Sequence, residues 1–334
     1  MREFIETHWR SGHILARSAE VFDWQYRNEA CQRYNFVVGI ETDTKEIHGA
    51  LGFIPVSHFD PELEDQREIW LAVWKVREDR ETSGLGLSML MKLKQLTKAK
   101  SIGLIGLSED SRQIFRALRY TCGNAEHYYL VNPERTTFKI LGGFDDCYAH
   151  ERAANDPAKR IVRLENDDIP TTLKGIESSQ FDDQQRPYKT ANYFLNRYAR
   201  HPFYQYQMWS IANASHVAAV LVTRRVVAND SAVLRIIDLY GTATAIEATH
   251  GEFCKMLATE NAEYIDFYNS GLHASSLETA GFLSRCSTSQ VIVPNYFEPF
   301  EQKNVDLAFA YWTQDRSPYE FVKGDSDQDR PSAI

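Results

Sequence analysis

Glu68-Ile-Trp-Leu-Ala-Val-Trp-Lys-Val76, then Ser83-Gly-Leu-Gly86, then Leu87-Ser-Met-Leu-Met-Lys-Leu-Lys-Gln-Leu96: the order of these three pieces decides the fold. Ile69 to Val76 is an apolar and aromatic run of strand length. Leu87, Leu90, Met91, Leu93 and Leu96 recur near the helical period and predict an amphipathic helix. Between strand and helix stand Gly84 and Gly86, either a plain tight turn or a cradle for phosphates. Glycines let a backbone approach an anion, and the first amides of a helix point their N–H groups at it. A second short strand, Ser101 to Gly106, and a short amphipathic helix, Ser108 to Tyr120, follow.

Outward from this stretch, the opening segment His8 to Asn28 carries Trp9, Phe22, Trp24 and Tyr26 and predicts helices packed over a sheet, or a cap over a binding site. Asn35 to Glu41 and Ile47 to Val56 predict two strands with a turn between them. His127 to Val131 and Thr136 to Leu141 predict two more strands, and the polar run Glu151 to Lys159 predicts a linker. Beyond it the pattern starts again. Phe194-Leu-Asn-Arg-Tyr198 echoes Phe22 to Tyr26, and Met208 to Ile211 with His216 to Val227 echo the early strands. Leu234 to Tyr240 echoes the central strand, Glu247 to Leu257 the long helix, and Tyr264 to Phe282 the last strand and helix. This is the pattern of an internal duplication. The second copy offers a single glycine, Gly241, before its helix, a poor cradle for a pyrophosphate.

The 334 residues are 43% apolar and 25% charged, a globular composition long enough for two domains. A net charge of −9 disfavours nucleic acid as a partner. No apolar run reaches membrane-span length, and the N-terminus has no secretory apolar region. Cys31, Cys122, Cys147, Cys254 and Cys286 are scattered without metal-ligand spacing, which reads as reduced thiols in a cytoplasmic protein. No metal site is expected.

Strand, glycine turn, helix, strand and short helix, as quoted above, resemble the cofactor-binding half of the GNAT (GCN5-related) N-acyltransferases. The resemblance implies an α/β (α+β) fold of two GNAT-like halves, each a mixed, mostly antiparallel twisted sheet flanked by helices. The halves expected are residues 1–150, with the CoA site, and 160–321, degenerate, followed by a disordered acidic tail, 322–334. In that family an Arg-x-x-Gly-x-Gly turn holds the pyrophosphate; here Arg80 stands one residue too far from Gly84. Ser108 replaces the family's Asn, Phe115 its Tyr acid, and Arg119-Tyr120 its Gly-Phe. The cofactor implied is acetyl-CoA or another acyl-CoA, with the backbone of Leu71, Ala72, Val73 and Trp74 at the thioester carbonyl. Lys75, Val76, Arg80, Ser83, Gly84, Leu85, Gly86, Leu87, Ser108, Ser111 and Phe115 complete the expected cofactor contacts.

Acyl transfer to an amine needs a polarised carbonyl and a group that takes the amine's proton. His58, at the acceptor end of the sheet, is the first candidate for the base, and His13 the second; Asp60, Asp238 and Asp266 are further ones. Each has a plain alternative as a surface or structural residue. With Phe115 in place of the family's acid, the leaving thiolate departs unprotonated, which its pKa of about 8.5 allows. The aromatic opening and the tail resemble sugar N-acyltransferases of capsule and O-antigen biosynthesis. That resemblance implies a nucleotide-linked amino sugar as acceptor, with Trp24, Tyr26, Asp238 and Tyr268 as substrate contacts. Arg224 and Arg225 suit either a phosphate or a solvated strand edge. The expected state is a monomer or homodimer. Two alternatives stay open: an aminoacyl transferase of the peptidoglycan tandem-GNAT type, and a binding protein that kept the fold without the chemistry.

Overall fold

Glu68–Val76 forms a strand at the centre of a sheet, as its apolar run predicts, with Trp70 almost wholly buried. Burying such a side chain stabilises the fold by about 1.5–3 kcal/mol. The computed structural model describes residues 1–80, 82–144, 153–177, 186–214, 216–287 and 290–331. It comprises two units. One holds Met1–Cys122, Phe309–Ser317 and Ser326–Ile334; the other holds Gly123–Ala308 and Pro318–Asp325.

The sheet of the first unit has the strand order Phe36–Ile40, Ile47–Pro55, Glu68–Val76, Ser101–Ile105, Ala308–Thr313, Thr121–Asn124. Glu68–Val76 runs antiparallel to Ile47–Pro55 and parallel to Ser101–Ile105. The helices Leu85–Thr97 and Glu109–Ala117 follow in the expected order, and the opening segment is helical, with Trp24 and Tyr26 on Ala19–Tyr26. The long helix buries Met89, Leu90 and Leu93, whereas Leu87, Met91 and Leu96 of the expected apolar face are exposed. A helix lying on a sheet covers only one stripe of its surface, and the apolar pattern here is wider than that stripe.

In the second unit the order is Leu283–Ser284, Glu126–Val131, Tyr264–Ser270, Ser231–Gly241, His216–Ala228, Gln207–Asn213, Lys159–Arg163. Ser231–Gly241 and Tyr264–Ser270 form its parallel ladder, and the ladders flanking them are antiparallel. The division therefore does not fall near residue 150. Glu126–Val131 pairs with Tyr264–Ser270 of the second unit, and Ala308–Thr313 pairs with Ser101–Ile105 of the first. A buried polar network pins the first of these strands: His127 Nε2 lies 2.9 Å from Asp266 Oδ2, and Arg235 grips the same carboxylate at 3.1 and 2.8 Å.

Three expected segments differ. Thr136 to Leu141 is not a strand, because the buried Glu263 carboxylate accepts from the Lys139, Ile140 and Leu141 amides at 2.7, 3.0 and 3.1 Å and replaces a strand partner. The linker is held wherever it is described. Ala154 N–H donates to the Thr279 carbonyl, Asp156 N–H donates to the Ala248 carbonyl, and Lys159 opens a strand; positions 151 and 152 lie outside the described residues. The acidic tail is buried through Pro331 apart from the half-buried Gln328 and Arg330, and only its last three positions lie outside the described residues. Cys31, Cys122, Cys254 and Cys286 are free thiols, and Cys147 lies outside the described residues.

Candidate active site

The parallel ladder of the first unit is short: Glu68, Ile69 and Trp70 face Ser101, Ile102 and Gly103, and pairing ends there. On the other side the register slips, since Leu51 faces Trp74 while Phe53 faces Leu71. Ala72 and Val73 thus stand opposite the single Gly52, a bulge that bends the strand away from its parallel neighbour. Two strands that part in mid-sheet leave backbone amides and carbonyls without a ladder partner. Leu71, Ala72, Val73 and Trp74 all lie in this stretch, with Lys75 and Val76 continuing it.

The turn beyond is led by glycine. Gly84 caps the helix Leu85–Thr97 at φ +77°, a left-handed conformation that favours glycine, and no neighbour crowds its open side. No side chain caps the helix, and its first turn carries no acidic residue, so the positive end of its dipole is unopposed. Gly86 has a different reason: a Cβ there would meet the Trp74 indole at 3.3 Å. Ser83, Gly84 and Leu87 are exposed, and Leu85 and Gly86 half-buried. Arg80 is turned to Glu46, at 3.3 Å. Ser108 caps the helix Glu109–Ala117 by accepting from the Ser111 amide, and the two hydroxyls lie 3.0 Å apart. Phe115 is buried in the core, edge-on to Trp74 at 5.3 Å.

The parting of the strands is bridged by residues that composition assigned to a disordered tail. Ser326 Oγ donates to the Leu71 carbonyl at 2.8 Å, one residue past the end of the ladder, and Gln328 Nε2 donates to the Ile105 carbonyl at 2.9 Å. Gly106, at φ +87°, makes room, because a Cβ there would fall 2.4 Å from Gln328 Nε2. Arg330 folds back on the Asp327 carboxylate and its carbonyl, and its other nitrogen lies 3.0 Å from His13 Nε2. Asp327 and Asp329 are buried. The Tyr26 hydroxyl is buried, and burial, then Asp327, raise its pKa well above the usual value.

His13 and His58 differ in kind. His13 is buried, with Nδ1 3.2 Å from the Leu15 amide and Nε2 facing Arg330, so both nitrogens meet donors. A neutral imidazole accepts at one nitrogen only, so these two contacts compete. Burial, then Arg330 and Arg10, push its pKa down to about 3. His58, half-buried in the turn Val56–His58, has Nε2 2.7 Å from the Trp24 carbonyl. A carbonyl only accepts, so Nε2 carries the proton and Nδ1 is the basic nitrogen. Asp60 caps a short helix, accepting from the Glu62 amide at 3.1 Å.

Of the expected substrate contacts, Trp24 is half-buried beside Phe59, and Tyr26 packs on Phe36 at 4.6 Å. The other two belong to the second unit. Tyr268 stacks on His127 at 3.7 Å, while Asp238 lines a cavity. Asp266 is held by Arg235 and His127. Arg224 lies over the Tyr204 ring at 4.2 Å, and Arg225 donates to the Glu260 carbonyl at 3.2 Å. No helix among the described residues is long and apolar enough to cross a membrane.

No protein-family model matches this chain, and no curated protein matches it in sequence. Solved structures do. A GCN5-related N-acetyltransferase from Anabaena variabilis ATCC 29413 superposes with a TM-score of 0.50 at 10% identity, over 84% of this chain and 63% of that one. The chain thus spans less than two thirds of that protein's length. A GCN5-related N-acetyltransferase from Sphaerobacter thermophilus gives a TM-score of 0.46 at 8% identity, over 90% of this chain and 87% of that one. At 10% identity the first likeness shows the fold: α/β, with mixed, mostly antiparallel sheets flanked by helices, as in GCN5-related N-acetyltransferases.

Proposed function

We propose that the chain is an acyl-CoA-dependent N-acyltransferase, using acetyl-CoA or another acyl-CoA. The observation that carries this reading is the pairing of a strand parting at Leu71 with an uncapped, glycine-led helix at Gly84. The first suits the thioester arm and the second suits the pyrophosphate. When bound, the cofactor supplies the activated acyl group. The chain's own part is to present the backbone of Leu71 to Trp74 to the acyl oxygen, where an amide aimed at developing charge is worth a few kcal/mol. His58 takes the proton of the incoming amine at Nδ1, its tautomer set by the Trp24 carbonyl. The proposed acceptor is a nucleotide-linked amino sugar of surface-polysaccharide biosynthesis. The aromatic opening segment, with Trp24 half-buried beside Phe59, supports it.

The test is an acyl-transfer assay on amino sugars and their nucleotide-linked forms. His58→Ala is expected to lower turnover by roughly 10² to 10⁴ with CoA affinity nearly unchanged, and to remove a rate limb that rises with pH. A variant with wild-type turnover and pH profile would exclude His58 as the base. No transfer to any amine by a wild type that binds acetyl-CoA would leave a cofactor-binding protein in place of a transferase.

A further inference from the structure

The parting beside Leu71 is filled by the chain itself. Its two strands pair only from Glu68 to Trp70 and from Ser101 to Gly103. Just past that ladder, Ser326 Oγ donates to the Leu71 carbonyl at 2.8 Å, and Gln328 Nε2 donates to the Ile105 carbonyl at 2.9 Å. One short segment thus holds a carbonyl on each side of the gap. The direction of the Leu71 backbone follows from its other neighbour. Phe53 faces Leu71 but gives its N–H to the Asn35 carbonyl at 3.0 Å. The pair is therefore of the antiparallel kind without mutual hydrogen bonds, and the Leu71 backbone points away from Phe53, into the gap.

The seat is shaped for this segment. A Cβ at Gly106 would fall 2.4 Å from Gln328 Nε2, so only a glycine there admits the side chain. Ser326, Asp327 and Asp329 are buried. Yet Ser326-Asp-Gln-Asp-Arg330 carries no apolar side chain, so its hold comes from polar contacts. Arg330 grips the Asp327 carboxylate, lies 3.0 Å from His13 Nε2 and stands over the Trp9 ring at 5.9 Å. A neutral hydrogen bond contributes little net, because another donor can replace it. The two strand carbonyls are held by side chains, and a guest with amide N–H groups can take over both oxygens.

The thioester arm of an acyl-CoA is such a guest: an extended chain with amide N–H groups. We infer that Ser326 to Arg330 is an autoinhibitory strap, which competes with that arm for the parting and leaves when the cofactor enters. The inference rests on the acyl-CoA reading of the first unit. A competitor built into the chain lowers the apparent affinity in proportion to the fraction of molecules whose site is open.

The test is calorimetry of the full chain with acetyl-CoA in wild type, Ser326→Ala, Gln328→Ala and the double variant. Ser18→Ala is the control for lost stability alone, since it removes the cap of the helix Ala19–Tyr26. Each single strap variant is expected to bind about fivefold more tightly than wild type and the double variant at least tenfold, with Ser18→Ala unchanged. A second readout follows the strap itself. Ser326→Cys puts a thiol where the native side chain is buried, and saturating acetyl-CoA should speed its alkylation at least tenfold, read by mass spectrometry of its peptide. Wild-type affinity in the double variant, or unchanged or slower alkylation with acetyl-CoA, would overturn the strap and leave the cofactor site standing. Weaker binding in the double variant would overturn it too, by making the segment a wall of that site. Acetyl-CoA binding to neither wild type nor any variant would remove the cofactor reading, and the strap with it.

Discussion

The chemistry of single residues is set by partners far away in sequence. His13 meets Arg330, and His127 meets Asp266. Burial, with Arg330 and Arg10, holds His13 down to about 3; burial holds His127 down to about 4 although Asp266 opposes it. A folded-state pKa below the unfolded value near ~6.5 means that the unfolded chain takes up protons first as pH falls. Each histidine therefore withdraws up to ~1.4 kcal/mol of stability per pH unit below ~6.5, until its own folded pKa is reached. Glu320 and Asp325, raised to about 7 and about 6, act in the opposite sense over the same range. The informative quantity is thus the difference between wild type and His13→Gln. Urea midpoints from pH 7 to pH 5 should fall less in the variant, by roughly 2 kcal/mol. Parallel curves would contradict the buried, neutral His13. None of this was legible in the sequence, where both residues are isolated histidines. The Gly84 turn was legible, because a left-handed cap before an apolar helix is a local property.

At the scale of elements, apolar periodicity located the central strand, its helix and the matched strands of the second unit. It failed where a partner replaced a periodicity. Thr136 to Leu141 reads as a strand, yet its amides go to Glu263. Asp325-Ser-Asp-Gln-Asp-Arg330 reads as a solvated tail, yet its hydrogen bonds end on carbonyls at Leu71 and Ile105, more than two hundred residues away. Composition cannot report such a target. Removing residues 326–334 is expected to destabilise the chain by on the order of 3 kcal/mol, since two strand carbonyls and the His13 contact lose their partners. In the intact protein Ser326→Ala and Gln328→Ala should each cost on the order of 1 kcal/mol, because each leaves a strand carbonyl without its donor. Unchanged stability in both, with no change in melting temperature on truncation, would restore the tail to a solvated one.

At the scale of the molecule, the two units are not two consecutive pieces of the chain. Ala308–Thr313 completes the sheet of the first unit, and Glu126–Val131 lies inside that of the second. Apolar repetition along a sequence does not show which sheet each strand joins. A fragment ending near Lys159 would lack Ala308–Thr313 and Ser326 to Arg330, and is expected not to fold cooperatively. A sharp two-state unfolding transition from that fragment would contradict the strand assignment. The proposed transferase has a single CoA site, at the parted strand and the Gly84 turn of the first unit. Its most direct measurement is isothermal titration of the full chain with acetyl-CoA, beside the variant Gly84→Val. One CoA per chain is expected, lost in the variant because a β-branched residue does not hold φ +77° at the helix cap. Two CoA per chain, no binding, or wild-type affinity in Gly84→Val would contradict it.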